Sequence, residues 1–342
     1  MEQLRIGVIG AGRAGLMHIN NMMAIPTIHI AAVADANIES IQAHLPIGLT
    51  ARLYDSAAEL LADADVDAVC IFAPTDAHET LCRLAAQAHK HIFCEKPLSM
   101  NRDETVSLDL LTLIERAGVK LQIGFNRRFD TQFMKVREHA QQFSENERQI
   151  VKITSRDPDL LPHELIKRIG GLIFDFTMHD FDMARYIMGK EVRQVYVQGT
   201  QLIDPTLAEI NDVDTLAAIV THVDGAMTII DNSRKAVYGY DQRLELFGSL
   251  GMVKAENVTG SSVQMLTDTM TTEKNPYPNF ATRYQAAYRA ELVAFANSIL
   301  LDQPIQVTGI DAIMAQRIAI AAERSLQIGA PVAVDPTVPV IR

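Results

Sequence analysis

At 342 residues, with 48% apolar and 21% charged side chains, the chain is long enough for two folded domains and ordinary in composition for a globular protein. Its formal net charge of −11 offers no basic field to nucleic acid or anionic lipid, and no stretch approaches the roughly 18 consecutive apolar residues of a membrane span. Arg5 lies inside the first apolar run with no separate targeting segment, so a soluble, cytoplasmic protein is expected, with neither nucleic acid nor membrane as a partner.

The first 124 residues alternate short β-branched runs with helical patterns. Strands are expected at 4–9, 28–34, 68–72, 91–94 and 120–123, with helices at 13–24, 56–61, 78–88 and 103–117. That alternation builds a doubly wound parallel sheet, the N-terminal Rossmann half of an α/β protein. From Phe125 the rhythm changes. Helices at 130–141 and 171–188 precede strand-like runs at 192–202, 214–223, 226–233, 242–247 and 262–266, with turns at Asp224-Gly225 and at 249–251. Such a succession predicts a C-terminal α+β domain, residues 125–342, with a large open, mainly antiparallel sheet. Helical patterns at 283–301 and 310–328 follow it, the second stopping at Gly329-Ala330-Pro331. An open sheet exposes a broad face, which a second copy of the chain can cover. Cys70, Cys82 and Cys94 are an odd number, too widely spaced for a zinc knuckle, and read as small buried apolar side chains.

The run 4–9 leads directly into Gly10-Ala11-Gly12-Arg13-Ala14-Gly15 and then a helix. In that context the glycines serve a tight turn, close approach of a pyrophosphate and close helix–strand packing, while the helix N-terminus offers free N–H groups. Asp35 ends the second strand about 20 residues beyond Gly15, where an acid accepts hydrogen bonds from an adenosine ribose and repels a 2′-phosphate. NAD is therefore expected over NADP. Arg13 could swing toward such a phosphate, and Asp35 could instead be only a helix cap.

Glu95-Lys96-Pro97 follows the fourth expected strand, placing Lys96 at the carboxyl end of the sheet, where ligands of doubly wound folds bind. There an ammonium can hold a substrate hydroxyl, stabilise the alkoxide and relay a proton. A surface lysine paired with Glu95 is the alternative. Asp175 and His179 stand four apart on one helix face, followed by Asp182 with Asp180 beside it. Alcohol oxidation releases a proton with the hydride, and a neutral imidazole suits its capture near neutral pH. The alternative is a solvated or capping face. No third ligand lies at metal-motif spacing, and no metal is expected.

Taken together, Gly10 to Gly15, Asp35, Glu95-Lys96-Pro97, Gly124-Phe125-Asn126-Arg127-Arg128-Phe129 and the Asp175/His179 pair resemble the Gfo/Idh/MocA oxidoreductase family over essentially the whole chain. Phe125 to Asp130 and Tyr238-Gly239-Tyr240-Asp241 resemble its inositol 2-dehydrogenase branch most closely. The resemblance implies Lys96, Asp175 and His179 as the catalytic set, and a homotetramer built through the open sheet. Pro74, Glu95 and Lys96 join the glycine turn and Asp35 as expected cofactor contacts. Arg127, Asp157, Tyr238 and Tyr288 are expected polyol contacts, with Arg128 able to replace Arg127, and 157–168 reads as a loop over the site. The expected reaction is NAD-dependent oxidation of a myo- or scyllo-inositol hydroxyl to the ketone. Another cyclic polyol or aldose, an NAD-retaining glycosidase, and a nucleotide-binding sensor remain alternatives.

Overall fold

A computed structural model of the protein describes residues 3–341 and falls into two compact units. The first runs to Phe129 and includes Ala286–Gln316 and the stretch from Thr337; the second comprises Asp130–Gln285 and Arg317–Pro336. The chain is thus interleaved, where a single boundary at 124/125 was expected. The physical reason is local: Leu292, Phe295 and Ala296 complete the apolar core of the first unit, and Gln122 Nε2 donates to the Glu291 carbonyl at 2.8 Å. Among the described residues, no helix is long and apolar enough to cross a membrane.

In the first unit six strands are all parallel: β1 (Leu4–Ile9), β2 (Ile28–Ala34), β3 (Arg52–Tyr54), β4 (Ala68–Ile71), β5 (His91–Glu95) and β6 (Leu121–Gly124). Their order is β3-β2-β1-β4-β5-β6, so the winding reverses between β1 and β4, the place where such sheets open a ligand crevice. Every residue of β4 is buried, as expected of a parallel strand in the middle of such a sheet, between β1 and β5. The fold class is the expected Rossmann-type α/β arrangement; β3, three residues long and half-exposed, carries no periodicity from which to anticipate it.

In the second unit the strands are β7 (Arg148–Arg156), β8 (Val192–Thr200), β9 (Thr215–His222), β10 (Met227–Ser233), β11 (Asp241–Gly248) and β12 (Gly251–Ala255), then a ribbon of β13 (Met265–Leu266) and β14 (Thr271–Thr272), and β15 (Val332–Ala333). Seven of them form one sheet in the order β12-β11-β7-β10-β9-β8-β15. Neighbours are antiparallel except β7 and β10, which run parallel. Strand β9 alternates buried and open residues, so the sheet has one core face and one open face. The open face carries Ile219, Met227, Ile229, Phe247 and Met252, each at least 38% exposed. The expected strand at 262–266 shrinks to the two-residue β13, outside the large sheet. Strand β7 was not anticipated, because Arg148, Lys152 and Arg156 interrupt its apolar run. The structure answers those charges individually: Lys152 pairs with Glu245 across the sheet, and Arg148 donates to the Ala140 and Met188 carbonyls at two helix C-termini.

Candidate functional site

At the end of β1 each glycine meets a different constraint. Gly10 has φ +93°, and a Cβ there would stand 2.6 Å from the Ala73 nitrogen; one on Gly15 would stand 2.1 Å from the Gly10 carbonyl oxygen. A Cβ on Gly12 would meet nothing within 4 Å, so the space before it is open. Helix Arg13–Met23 starts at Gly12 with no side-chain cap and no acid in its first turn, leaving its N–H groups and positive dipole end for an anion. Ala11 is buried while Gly12, Arg13 and Ala14 are exposed, so the rim of the turn faces solvent. Asp35 closes the other side: Oδ2 accepts from the Ala11 N–H at 2.8 Å and Oδ1 from the Asn37 N–H at 2.9 Å. Asp35 is not the cap of the following helix Ile38–Ile41, whose N-cap is Asn37 with no side-chain cap bond; it braces the turn before that helix, and its carboxylate can accept more than these two bonds. Pro74 is exposed just beyond β4. An open glycine, an uncapped helix and a carboxylate at the strand end together fit a dinucleotide.

Lys96 follows β5 directly and is partly exposed. Beneath it, Glu95 accepts from the Lys96 N–H at 3.2 Å and bonds to His18 Nε2 at 2.9 Å. Burial opposes ionisation of Glu95, yet the bond to His18 holds its carboxyl below the usual range. The His18 ring stacks on Phe72 at 4.0 Å and meets the edge of Tyr288 at 5.1 Å. Glu291 completes this group: ligand atoms of His18, Glu95 and Glu291 all lie within 4.8 Å of one another. Glu291 is fully buried and neither carboxyl oxygen has a hydrogen-bond partner; burial, then the charge of Glu95, push its pKa well up. A proton on Glu291 removes the repulsion between the two acids. His78 lies within hydrogen-bond reach of the Ala73 and Pro97 carbonyls, at 3.0 and 2.8 Å, and so ties the segments after β4 and after Lys96 together. Arg127 is 2% exposed, and Arg128 is engaged by Asp311 at 2.9 Å.

In the second unit, the expected single helix at 171–188 is two structures in series. Leu172–Thr177 is a π-helical turn, continuous with the α-helix Met178–Met188. Its start is anchored at Gly171, φ +70°, where Asp212 accepts from the Leu172 N–H at 3.0 Å and a Cβ would collide with the same carboxylate at 2.7 Å. Between Leu172 and Ala184, Asp175 and His179 alone are partly exposed; all the rest are buried. Single π turns recur at functional sites, and this one carries Asp175. Asp180, by contrast, belongs to the interior: it accepts from Ser155 Oγ at 2.6 Å and Asn232 Nδ2 at 2.7 Å, pinning the helix to β7 and β10.

Asp157 and Asp175 meet at a residue the sequence reading passed over. Arg234, directly after β10 and fully buried, places Nη1 3.0 Å from Asp175 Oδ2 and 3.6 Å from Asp157 Oδ2. An arginine ending a strand was the available signal, but its partners come from 59 and 77 residues away in sequence (234 − 175 and 234 − 157). Tyr238 belongs to a neighbouring network, donating to Asp241 Oδ2 at 2.5 Å and accepting from Arg156 Nη1 at 3.1 Å. It lines a cavity of about 690 Å³ with Arg156, Asp231, Asn232 and Lys235, to which Asp157, Asp175 and His179 do not contribute. Tyr288 lies in the first unit, against His18. The expected loop at 157–168 contains the start of a helix, His163–Ile169, held by His163 Nε2 on Asp204 Oδ2 at 2.9 Å.

A model of an oxidoreductase family with an NAD-binding Rossmann fold matches residues 4–125, and one of a GFO/IDH/MocA C-terminal domain matches 150–254. An uncharacterized oxidoreductase of Bacillus subtilis is 41% identical over 98% of each chain. A myo-inositol 2-dehydrogenase of Thermotoga maritima is 39% identical over 95% of this chain and 96% of its own. The crystal structure of a scyllo-inositol dehydrogenase from Lactobacillus casei with bound NAD(H) and scyllo-inositol superposes with a TM-score of 0.89 at 26% identity, covering 97% of this chain and 99% of the other.

Proposed function

The chain belongs to the Gfo/Idh/MocA family of NAD-binding oxidoreductases, and from that premise we propose that it oxidises a ring hydroxyl of myo- or scyllo-inositol to the ketone. The observation that carries the proposal is the isolation of Asp175 and His179 as the partly exposed groups of an otherwise buried helical stretch, with Asp175 against a buried guanidinium. That guanidinium favours an ionised Asp175, an acceptor for a substrate hydroxyl. His179 takes the proton of the hydroxyl being oxidised, a task suited to an imidazole near neutral pH. Lys96 steadies the developing alkoxide and assists the proton's departure. NAD, held by Gly10, Ala11, Gly12, Arg13, Ala14, Gly15 and Asp35, with Pro74, Glu95 and Lys96 alongside, supplies the hydride acceptor. Arg127, Asp157 and Tyr288 make the remaining polyol contacts, while Tyr238, engaged by Asp241 and Arg156 in a separate cavity, is left outside the proposed site.

The choice of an inositol rests on the two relatives that act on myo- and scyllo-inositol. Copies assemble as a homotetramer through the open sheet face bearing Ile219, Ile229 and Phe247, and the enzyme works in the cytoplasm. The test is absorbance of reduced nicotinamide on mixing the protein with NAD and, separately, myo-inositol, scyllo-inositol or glucose, and again with NADP. Turnover on one inositol with NAD supports the reading; glucose turnover with both inositols silent removes the inositol assignment. Light scattering of the wild type beside Ile229→Lys checks the assembly, a tetramer that the lysine dissociates being the expected result.

A further inference from the structure

We infer that Arg234 is a positioning residue that fixes Asp157 and Asp175 as one paired acceptor, so that the enzyme reads two hydroxyls of its polyol together. The inference rests on the proposed function and adds a residue and a recognition rule to it. Arg234 is fully buried, and of its three side-chain nitrogens Nε and Nη2 have no hydrogen-bond partner. The polar interaction of this cation therefore runs through Nη1, 3.0 Å from Asp175 Oδ2 and 3.6 Å from Asp157 Oδ2. A guanidinium does not shed its proton in proteins, and a buried charge is tolerated only when opposed. Both acids face the same cation, which stabilises each as a carboxylate.

The backbone makes this arrangement rigid. The Arg234 N–H donates to the Asp214 carbonyl at 2.8 Å, the Asp157 N–H to the Ser233 carbonyl at 2.9 Å, and the Ala236 N–H to the Asp157 carbonyl at 2.6 Å. Asp157 and Arg234 thus leave the ends of the paired parallel strands β7 and β10 locked side by side, and Asp175 arrives from the anchored π turn. Their carboxylates are 18% and 22% exposed, whereas the guanidinium between them is sealed. A carboxylate can accept several hydrogen bonds at once. What faces solvent is a pair of acceptors held in fixed relation by a cation the substrate does not reach. Such a pair favours a ligand presenting two hydroxyl donors at once, and loses a bond with a ligand that presents one.

The experiment compares wild type, Arg234→Gln, Arg234→Lys and Asp157→Asn on myo-inositol, scyllo-inositol and their monodeoxy analogues, with NAD affinity measured by fluorescence titration. For the inositol that wild type oxidises, Arg234→Gln is expected to raise KM 10- to 100-fold with a smaller change in kcat. The same variant should shrink the preference for the full polyol over its deoxy analogues toward unity, leave NAD affinity within about twofold, and be partly rescued by lysine. Asp157→Asn is expected to cost much less in the Arg234→Gln background than alone. A changed kcat with KM and the deoxy preference intact overturns the inference, as do additive effects of the two substitutions. If Arg234→Gln does not fold, Arg234→Lys decides: it keeps the charge but not the two-acid reach, and an undiminished deoxy preference overturns the inference. Wild type silent on both inositols refutes the functional reading itself, and this inference with it.

Discussion

Asp35 is asked to do two things, and substitution can separate them. Its Oδ2 holds the Ala11 N–H of the glycine turn and its Oδ1 the Asn37 N–H, both below 3 Å. In the proposed complex the same carboxylate also accepts from the adenosine ribose and repels a 2′-phosphate. At about 4 Å and an effective dielectric near 20, one pair of unit charges interacts by roughly 4 kcal/mol; solvent exposure at the turn lowers this to about 2 to 4 kcal/mol even for a phosphate carrying more than one charge. That range corresponds to about 30- to 1,000-fold in NAD over NADP preference. Asp35→Asn keeps a carbonyl for one backbone donor and loses the charge. It should narrow the ratio of kcat/KM values for the two cofactors by that factor, and lower stability by the loss of one hydrogen bond, roughly 1 to 3 kcal/mol, because its NH2 must face the second N–H donor. Asp35→Ala leaves both N–H groups without their acceptor and should lower stability as well, by about 1 to 3 kcal/mol for each such hydrogen bond to a charged group. Initial rates with each cofactor and thermal melts of the three proteins provide the check. An Asp35→Asn enzyme with an unaltered cofactor ratio would refute the electrostatic reasoning and leave Asp35 as a brace for the turn alone.

The two glycines beyond Gly10 should respond in opposite ways. Gly15→Ala drives a Cβ against the Gly10 carbonyl and should lower stability by about 1 to 3 kcal/mol, whereas Gly12→Ala meets open space and should keep the melting temperature while weakening NAD, as titration and melting together would reveal. His179→Ala should reduce kcat about 10²- to 10⁴-fold with NAD affinity unchanged; comparable loss of NAD binding would assign the histidine a structural role instead. Glu291, its pKa raised by burial and by Glu95, keeps in the folded state a proton that the unfolded chain releases near pH 4.5, so its contribution to stability is full below that pH and is lost as pH rises through the folded-state pKa. Glu291→Gln should therefore gain on wild type as pH rises, and parallel melting curves across pH would contradict this. His222 is the opposite case: burial lowers its pKa to about 4, so its contribution is present above about pH 6.5 and lost as pH falls toward 4, and His222→Gln should flatten that acid limb.

The nucleotide half was readable in the chain because its signals are local. Gly10 to Gly15 lie within one turn, Asp35 at a fixed reach, and each parallel strand is a short apolar run. The second unit was harder for two physical reasons. Strand β7 hides its alternation behind Arg148, Lys152 and Arg156, whose charges find partners only once β10, β11 and two helix ends arrive. The Asp175/His179 spacing could be seen, but a four-residue offset cannot distinguish a π turn running into an α-helix from a plain helix, because that distinction depends on the Asp212 anchor about 40 residues on. The return of Ala286–Gln316 to the first unit was equally hidden. A helix's apolar face does not say which core it will enter.

What escaped the sequence has a common character. Three of the residues read as chemical rest on groups that the sequence did not single out. Asp175 rests against Arg234, Glu95 against His18 and Glu291, and Asp35 against two backbone N–H groups. The pairing follows from the demands on the outer groups. An acid that must stay ionised and aimed while half out of water needs a fixed countercharge or donor on its inner side, because bulk solvent screens but does not orient. Such a support must be buried to be rigid, and a buried ionisable group is stable only with its partner present. The outer residue and its support should therefore fail together. Asp175→Asn, which leaves Arg234 without full opposition, is expected to lose stability as well as activity, whereas His179→Ala loses activity with far less effect on the melting temperature. Equal melting temperatures for Asp175→Asn and wild type would show that the guanidinium does not depend on the acid, and that the pairing is incidental.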